Sequence, residues 1–127
     1  MKPELKFMRC KLCGNIVTYL HASGVTPVCC GQDMVELTAN TEDAATEKHV
    51  PDVTVEGNKV TAVIGSVVHP MVEEHYIEFI ALETNNGVHV RFLEPGQEPK
   101  AVFELNGEEP VAVYEYCNLH GLWKKDI

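Results

Sequence analysis

His75-Tyr76-Ile77-Glu78-Phe79-Ile80-Ala81-Leu82-Glu83 is rich in β-branched and aromatic residues and reads as a strand. Four further runs share its character. Lys59-Val60-Thr61-Ala62-Val63-Ile64 lies upstream. Val88 to Leu93, Ala101 to Leu105 and Val111 to Tyr116 lie downstream. Turn signals separate them: Glu56-Gly57-Asn58, Asn85-Asn86-Gly87, Glu94-Pro95-Gly96 and Asn106-Gly107. Short strands at this spacing predict an antiparallel β-sandwich. No helical period longer than two turns stands out, and there is no internal repeat.

Upstream of the strands, Asn40 to Lys48 is polar and reads as a connection between two parts. Before it stand four of the five cysteines, Cys10, Cys13, Cys29 and Cys30. This leading segment has short apolar runs such as Ile16-Val17-Thr18-Tyr19-Leu20, but it is too short for a sufficient hydrophobic core. A metal staple is the expected remedy.

The chain has 127 residues, with 10 Lys and Arg against 19 Asp and Glu, a net charge of −9. That balance argues against nucleic acid or an anionic membrane surface as a partner. No run of apolar residues is long enough to span a membrane. Met1 to Lys6 lacks the apolar run of a signal peptide, so a cytoplasmic protein is expected. In a reducing compartment cysteines are seldom disulfides, and an odd number disfavours a disulfide framework. Metal binding is the leading explanation.

Cys10-Lys11-Leu12-Cys13 and the adjacent pair Cys29-Cys30 supply four thiolates that can close round one ion. Gly14 and Gly31 follow the two pairs and permit tight turns. Soft thiolates select zinc or iron, and geometry alone does not choose between them. A structural zinc knuckle and a CxxC redox disulfide are the competing readings. The second lacks its usual βαβ context. The adjacent cysteines are expected to constrain one angle at the metal.

Of the histidines, His120 has the strongest context, in Cys117-Asn118-Leu119-His120-Gly121. A thiolate and an imidazole three apart after a strong strand form a metal-ligand loop. Cys117 is the cysteine left over once the four-thiolate site is filled. His49, His69 and His75 each fall at the edge of a predicted strand or loop, where strand ends from one rim can converge. His21 and His89 carry no such context.

The leading segment resembles desulforedoxin, a rubredoxin-like module with a single iron and an adjacent cysteine pair. The rest resembles the superoxide reductase domain in Glu47-Lys48-His49-Val50-Pro51, His69-Pro70, His75 and Cys117-Asn118-x-His120-Gly121. Together they place the chain with the desulfoferrodoxins, over nearly its whole length. The resemblance implies a mainly β protein: a small rubredoxin/desulforedoxin-like metal-binding domain over residues 1–37, then an antiparallel immunoglobulin-like β-sandwich over 38–127. It implies two mononuclear iron sites. One is held by Cys10, Cys13, Cys29 and Cys30. In the other, His49, His69, His75 and His120 are equatorial and Cys117 is axial. It implies reduction of superoxide to hydrogen peroxide, a rubredoxin-like electron donor and a homodimer.

Five ligands argue against zinc, which prefers four. Superoxide is an anion, so a site that takes it must correct the field of a chain at −9. Lys48 is the residue placed to do so, by attraction and by orienting water for protonation. Glu47 is similar to the family glutamate that takes the sixth position on ferric iron. A solvated charge pair is the plainer reading of these two residues. Lys124 and Lys125 either add positive potential or form a solvated tail. Two other functions compete with the enzyme. One is a small electron carrier working through the four-cysteine iron; the other is a structural zinc protein.

Overall fold

The computed structural model describes residues 2–127, and nearly all of its regular structure is β. The chain divides into two compact units, Met1–Thr38 and Ala39–Ile127.

In the first unit, β1 (Phe7–Arg9) lies between β2 (Ile16–Thr18) and β5 (Val35–Glu36) in an antiparallel sheet. A hairpin of β3 (Val28–Cys29) and β4 (Gln32–Asp33) completes it. The hairpin turn is Cys30-Gly31, with φ of 53° and 75°. Two positive φ values in a two-residue loop match the twist of the flanking strands. Glycine takes that conformation freely and cysteine does not. The adjacent cysteines are therefore a strand end and the first residue of a tight turn. The buried cluster here is small: Met8, Cys10 and Met34, flanked by Tyr19 and Cys29.

The second unit begins at Ala39, just ahead of the polar stretch read as a connection. Asn40 is not a linker residue. Its N–H donates to Leu122 O at 3.0 Å, and its Oδ1 accepts from the Lys124 N–H at 2.9 Å. A single helical turn, α1 (Thr46–His49), follows. Then come β6 (Pro51–Glu56), β7 (Lys59–Ile64), β8 (Ile77–Thr84), β9 (Val88–Phe92), β10 (Lys100–Glu104), β11 (Pro110–Cys117) and β12 (Gly121–Asp126). The strands form two antiparallel sheets, ordered β10-β7-β6 and β12-β11-β8-β9.

One core joins them. Val60, Ala62 and Ile64 from β7 and Phe103 from β10 meet Ile77, Ile80 and Leu82 from β8 and Val113 from β11, all without solvent exposure. The alternation along β7 explains this, because Val60, Ala62 and Ile64 share one face of the strand. β6 and β12 were not among the strand runs read from sequence. Each has one half-exposed face and little aliphatic continuity, so its strand state comes from pairing with β7 and β11.

Candidate metal centres

Antiparallel pairing brings the second unit's candidate ligands to one rim of each sheet. Pro51 at the start of β6 pairs with Ile64 at the end of β7. Ile77 at the start of β8 and Gly121 at the start of β12 both pair with Cys117 at the end of β11. His49 just precedes β6, His69 follows β7, His75 just precedes β8, and His120 just precedes β12. Tight local devices aim them. Val72 and His75 exchange two backbone hydrogen bonds of 3.0 Å across Glu73-Glu74. A register shift in the β8–β11 pairing falls between Tyr116 and Cys117, the kind of irregularity that re-aims a side chain.

The four imidazoles form a square. Centroids of neighbouring rings lie 4.7 Å (His49–His69 and His69–His75), 5.0 Å (His75–His120) and 4.9 Å (His120–His49) apart, all near-perpendicular. The His49–His75 diagonal is 6.4 Å. Tautomers follow from the hydrogen bonds. His49 Nδ1 donates to Ala45 O and His69 Nδ1 donates to Pro70 O, each at 2.7 Å. The Nε2 atoms of both rings are then bare lone pairs, yet they face each other at 3.2 Å. His120 Nδ1 is 3.1 Å from His49 Nε2 and 3.9 Å from Cys117 Sγ. His75 Nε2 is buried without a hydrogen-bond partner. Converging bare nitrogens repel one another unless a cation lies between them, so the donor set fits a metal ion.

Cys117 approaches from the core and has no solvent exposure. His75 and His120 are only half-buried, so solvent reaches the cluster from their side. Burial pushes the Cys117 thiol up, and the N–H groups of Leu119 and His120 pull it back. Burial lowers His49, His75 and His69, the last to about 4, which keeps them neutral as ligands must be.

The backbone of Glu47 and Lys48 lies in α1, immediately before His49. Both side chains are exposed. The charge of Lys48 depresses the basicity of His75, a residue from another segment, as well as of His49. Glu47 lines a groove with Asp52, Ser66 and Lys125. Lys124 is turned elsewhere, 3.1 Å from Asp126 and over the Tyr114 ring.

Two positioning residues carried no role in the sequence reading. Asn118 Oδ1 accepts from the Tyr76 N–H at 2.9 Å, and its Nδ2 donates to Glu74 O at 3.0 Å. It thus ties the Cys117 loop to the His75 loop. Trp123 stacks on His49, 4.9 Å between centroids, and its Nε1 donates to His120 O at 2.9 Å. Asn118 sits inside the ligand loop, which was the available signal. Nothing local marks Trp123.

In the first unit the Sγ atoms of Cys10, Cys13, Cys29 and Cys30 lie within 4.8 Å of one another. Cys13 to Cys29 is 3.6 Å and Cys29 to Cys30 is 4.0 Å. A tetrahedron with sulfur about 2.3 Å from its centre has edges of roughly 3.8 Å, so the thiols fit one ion. The Cys13 N–H points at Cys10 Sγ from 3.5 Å and is the chief reason that this thiol falls to about 6. Hydrogen bonding with Cys13 is the main cause raising Cys29 and pushing Cys30 up to about 12. The cluster therefore holds protons that a cation must displace. His21 is exposed, and His89 lies on β9 beside Glu108; neither joins a centre.

Comparisons with known proteins agree with this geometry. The family model for desulfoferrodoxin matches residues 41–126, and that for the desulfoferrodoxin N-terminal domain matches residues 3–37. The chain is 46% identical to a desulfoferrodoxin homolog of Archaeoglobus fulgidus, covering 98% of both chains. It is also 46% identical to a desulfoferrodoxin of Nitratidesulfovibrio vulgaris, covering 99% of both. The crystal structure of the superoxide reductase from Treponema pallidum superposes with a TM-score of 0.81 at 34% identity, covering 98% of this chain and 100% of that one. A four-thiol cluster, a square of histidines over a buried cysteine, and matches along both units lead to one conclusion: the chain belongs to the desulfoferrodoxin family.

Proposed function

We propose that this protein is a superoxide reductase. The observation that carries the reading is the convergence of four imidazoles and the Cys117 thiol, with Lys48 on the helical turn that carries His49. His49, His69, His75, His120 and Cys117 would hold a ferrous ion, which would supply the one electron by which superoxide, taking up two protons, becomes hydrogen peroxide. The chain does the rest. Buried, hydrogen-bonded His49 and His69 hold the plane of donors. Cys117, supported by the Leu119 and His120 N–H groups, donates charge from the core side. Lys48 attracts the anion against the net charge of −9 and orients water that delivers protons. Glu47, exposed two residues before His49, is the carboxylate that would cover the solvent side of the site when the iron is oxidised.

The four cysteines hold a second iron. Its partly exposed thiols, Cys13 and Cys30 among them, suit electron entry from a rubredoxin-like donor. A homodimer formed through the first unit accounts for the exposed Leu20, Val25 and Val28. Among the described residues no helix is long and apolar enough to cross a membrane, and cytoplasmic residence matches five free cysteines.

Product stoichiometry tests the activity. Anaerobically reduced protein given a measured dose of superoxide should yield one hydrogen peroxide per superoxide and no dioxygen. Half a peroxide per superoxide, with dioxygen released, would identify dismutation and overturn the reading. A colourless, fully zinc-loaded native protein would overturn it as well.

A further inference from the structure

β7 ends at Ile64, and the next residue, Gly65, is buried with φ of +82°. A Cβ at this position would meet the carbonyl oxygens of Glu47 and Lys48, each at 2.8 Å, and that of Val67. No side chain fits there without a shift of the backbone, and the backbone angle strains one independently. The turn also grips α1 through hydrogen bonds. Glu47 O accepts from the Val67 N–H at 3.0 Å and from Ser66 Oγ at 3.3 Å. The helix needs such a grip. It is four residues long, and Ala45 gives it no side-chain cap. A helix of one turn does not hold itself together.

We propose that Gly65, with Ser66 and Val67, is a positioning turn for Lys48. It fixes the carbonyls of Glu47 and Lys48 against the end of β7, and so fixes the point beside His49 from which the Lys48 side chain leaves α1. This role rests on the reading of Lys48 as the cation that draws in superoxide.

The test uses the full chain with iron loaded, comparing wild type, S66A, G65A, K48I and the G65A/K48I double variant. The second-order rate with superoxide is measured across ionic strength, and amide exchange at Val67 is followed separately. Gly65→Ala should slow the reaction about tenfold and flatten its salt dependence, as removal of the cation does. It should add nothing in the K48I background. Ser66→Ala deletes one hydrogen bond without strain; it should speed Val67 exchange and slow the reaction roughly twofold. A folded G65A protein with wild-type rate and salt slope would overturn the proposal. So would an equal loss from G65A in the wild-type and K48I backgrounds, which would mean a general structural effect. If G65A does not fold, S66A decides: faster Val67 exchange with an unchanged rate overturns the role. A wild-type rate in K48I would instead remove the reading of Lys48, and the positioning role with it.

Discussion

A thiol with no solvent exposure keeps its proton unless something nearby rewards the anion. For Cys117 that reward comes from the backbone N–H groups of Leu119 and His120, and a metal ion held with the histidines would add to it. Cys117→Ser replaces a soft donor by a hard one. The oxidised protein should lose the absorption band of the five-donor site and keep the bands of the four-cysteine site. An unchanged visible spectrum would refute the assignment of Cys117. Lys48 lies at the same scale, exposed on the helical turn that carries His49, and acts through space. Lys48→Ile should slow the reaction with superoxide by about tenfold and weaken its ionic-strength dependence. Stopped-flow or pulse-radiolysis rates at several salt concentrations measure both. The thiols of the other centre divide differently: the Cys13 N–H holds Cys10 low, and hydrogen bonding with the Cys13 thiol holds Cys30 high.

The turn from β11 to β12 is tied to the His75 loop by Asn118, which reaches across to Tyr76 and Glu74. Asn118→Ala leaves two backbone groups without these partners and should cost about 1–3 kcal/mol of stability. Iron affinity should fall at the five-donor site but not at the four-cysteine site. Metal analysis after dialysis, with denaturant melting, separates the two effects. A second cross-element contact joins the end of β8 and the start of β9 to the loop after β10. Glu108 accepts from Thr84 Oγ1 at 2.6 Å and lies 3.4 Å from His89 Nε2. The Thr84 hydroxyl, then His89, lower its carboxyl below the ordinary 4.5. An acid whose folded value is depressed contributes stability above the unfolded value. That contribution is lost as pH falls through the folded one. Melting temperature should therefore drop as pH falls below about 4.5. Glu108→Gln should remove that part of the slope, seen by calorimetry at a series of pH values.

At the scale of the whole molecule the two units have unequal means of support. The first buries only Met8, Cys10 and Met34 in its cluster, and one of the three is a candidate ligand. The second has a continuous core drawn from two sheets. Stripping the metal should therefore unfold the first unit while the second keeps its sheets. Amide exchange on metal-free protein reads this directly: protection should vanish in β1 to β5 and persist in β7, β8 and β11. Equal loss in both units would show that the second centre is also a folding staple.

Five strand runs, the turns between them and the thiolate cluster were legible in the chain itself, because each is a local signal. Alternation sets the faces of β7, and glycine with asparagine sets the turns. The spacing Cys10-x-x-Cys13 with Cys29-Cys30 places four sulfurs within a short reach. The odd fifth cysteine and His120, three residues apart, marked the second centre in the same way. Tertiary structure decided the rest. The polar stretch from Asn40 belongs to the second unit because Asn40 bonds to Leu122 and Lys124, far along the chain. β6 and β12 are strands because β7 and β11 pair with them. Resemblance named His49, His69 and His75 as ligands, but their square, and the bare nitrogens facing inward, exist only where five strand ends meet at one rim. Asn118, Trp123 and Gly65 act entirely through partners distant in sequence. A residue's own type and neighbours state what it can bond; only the fold states what stands close enough to be bonded.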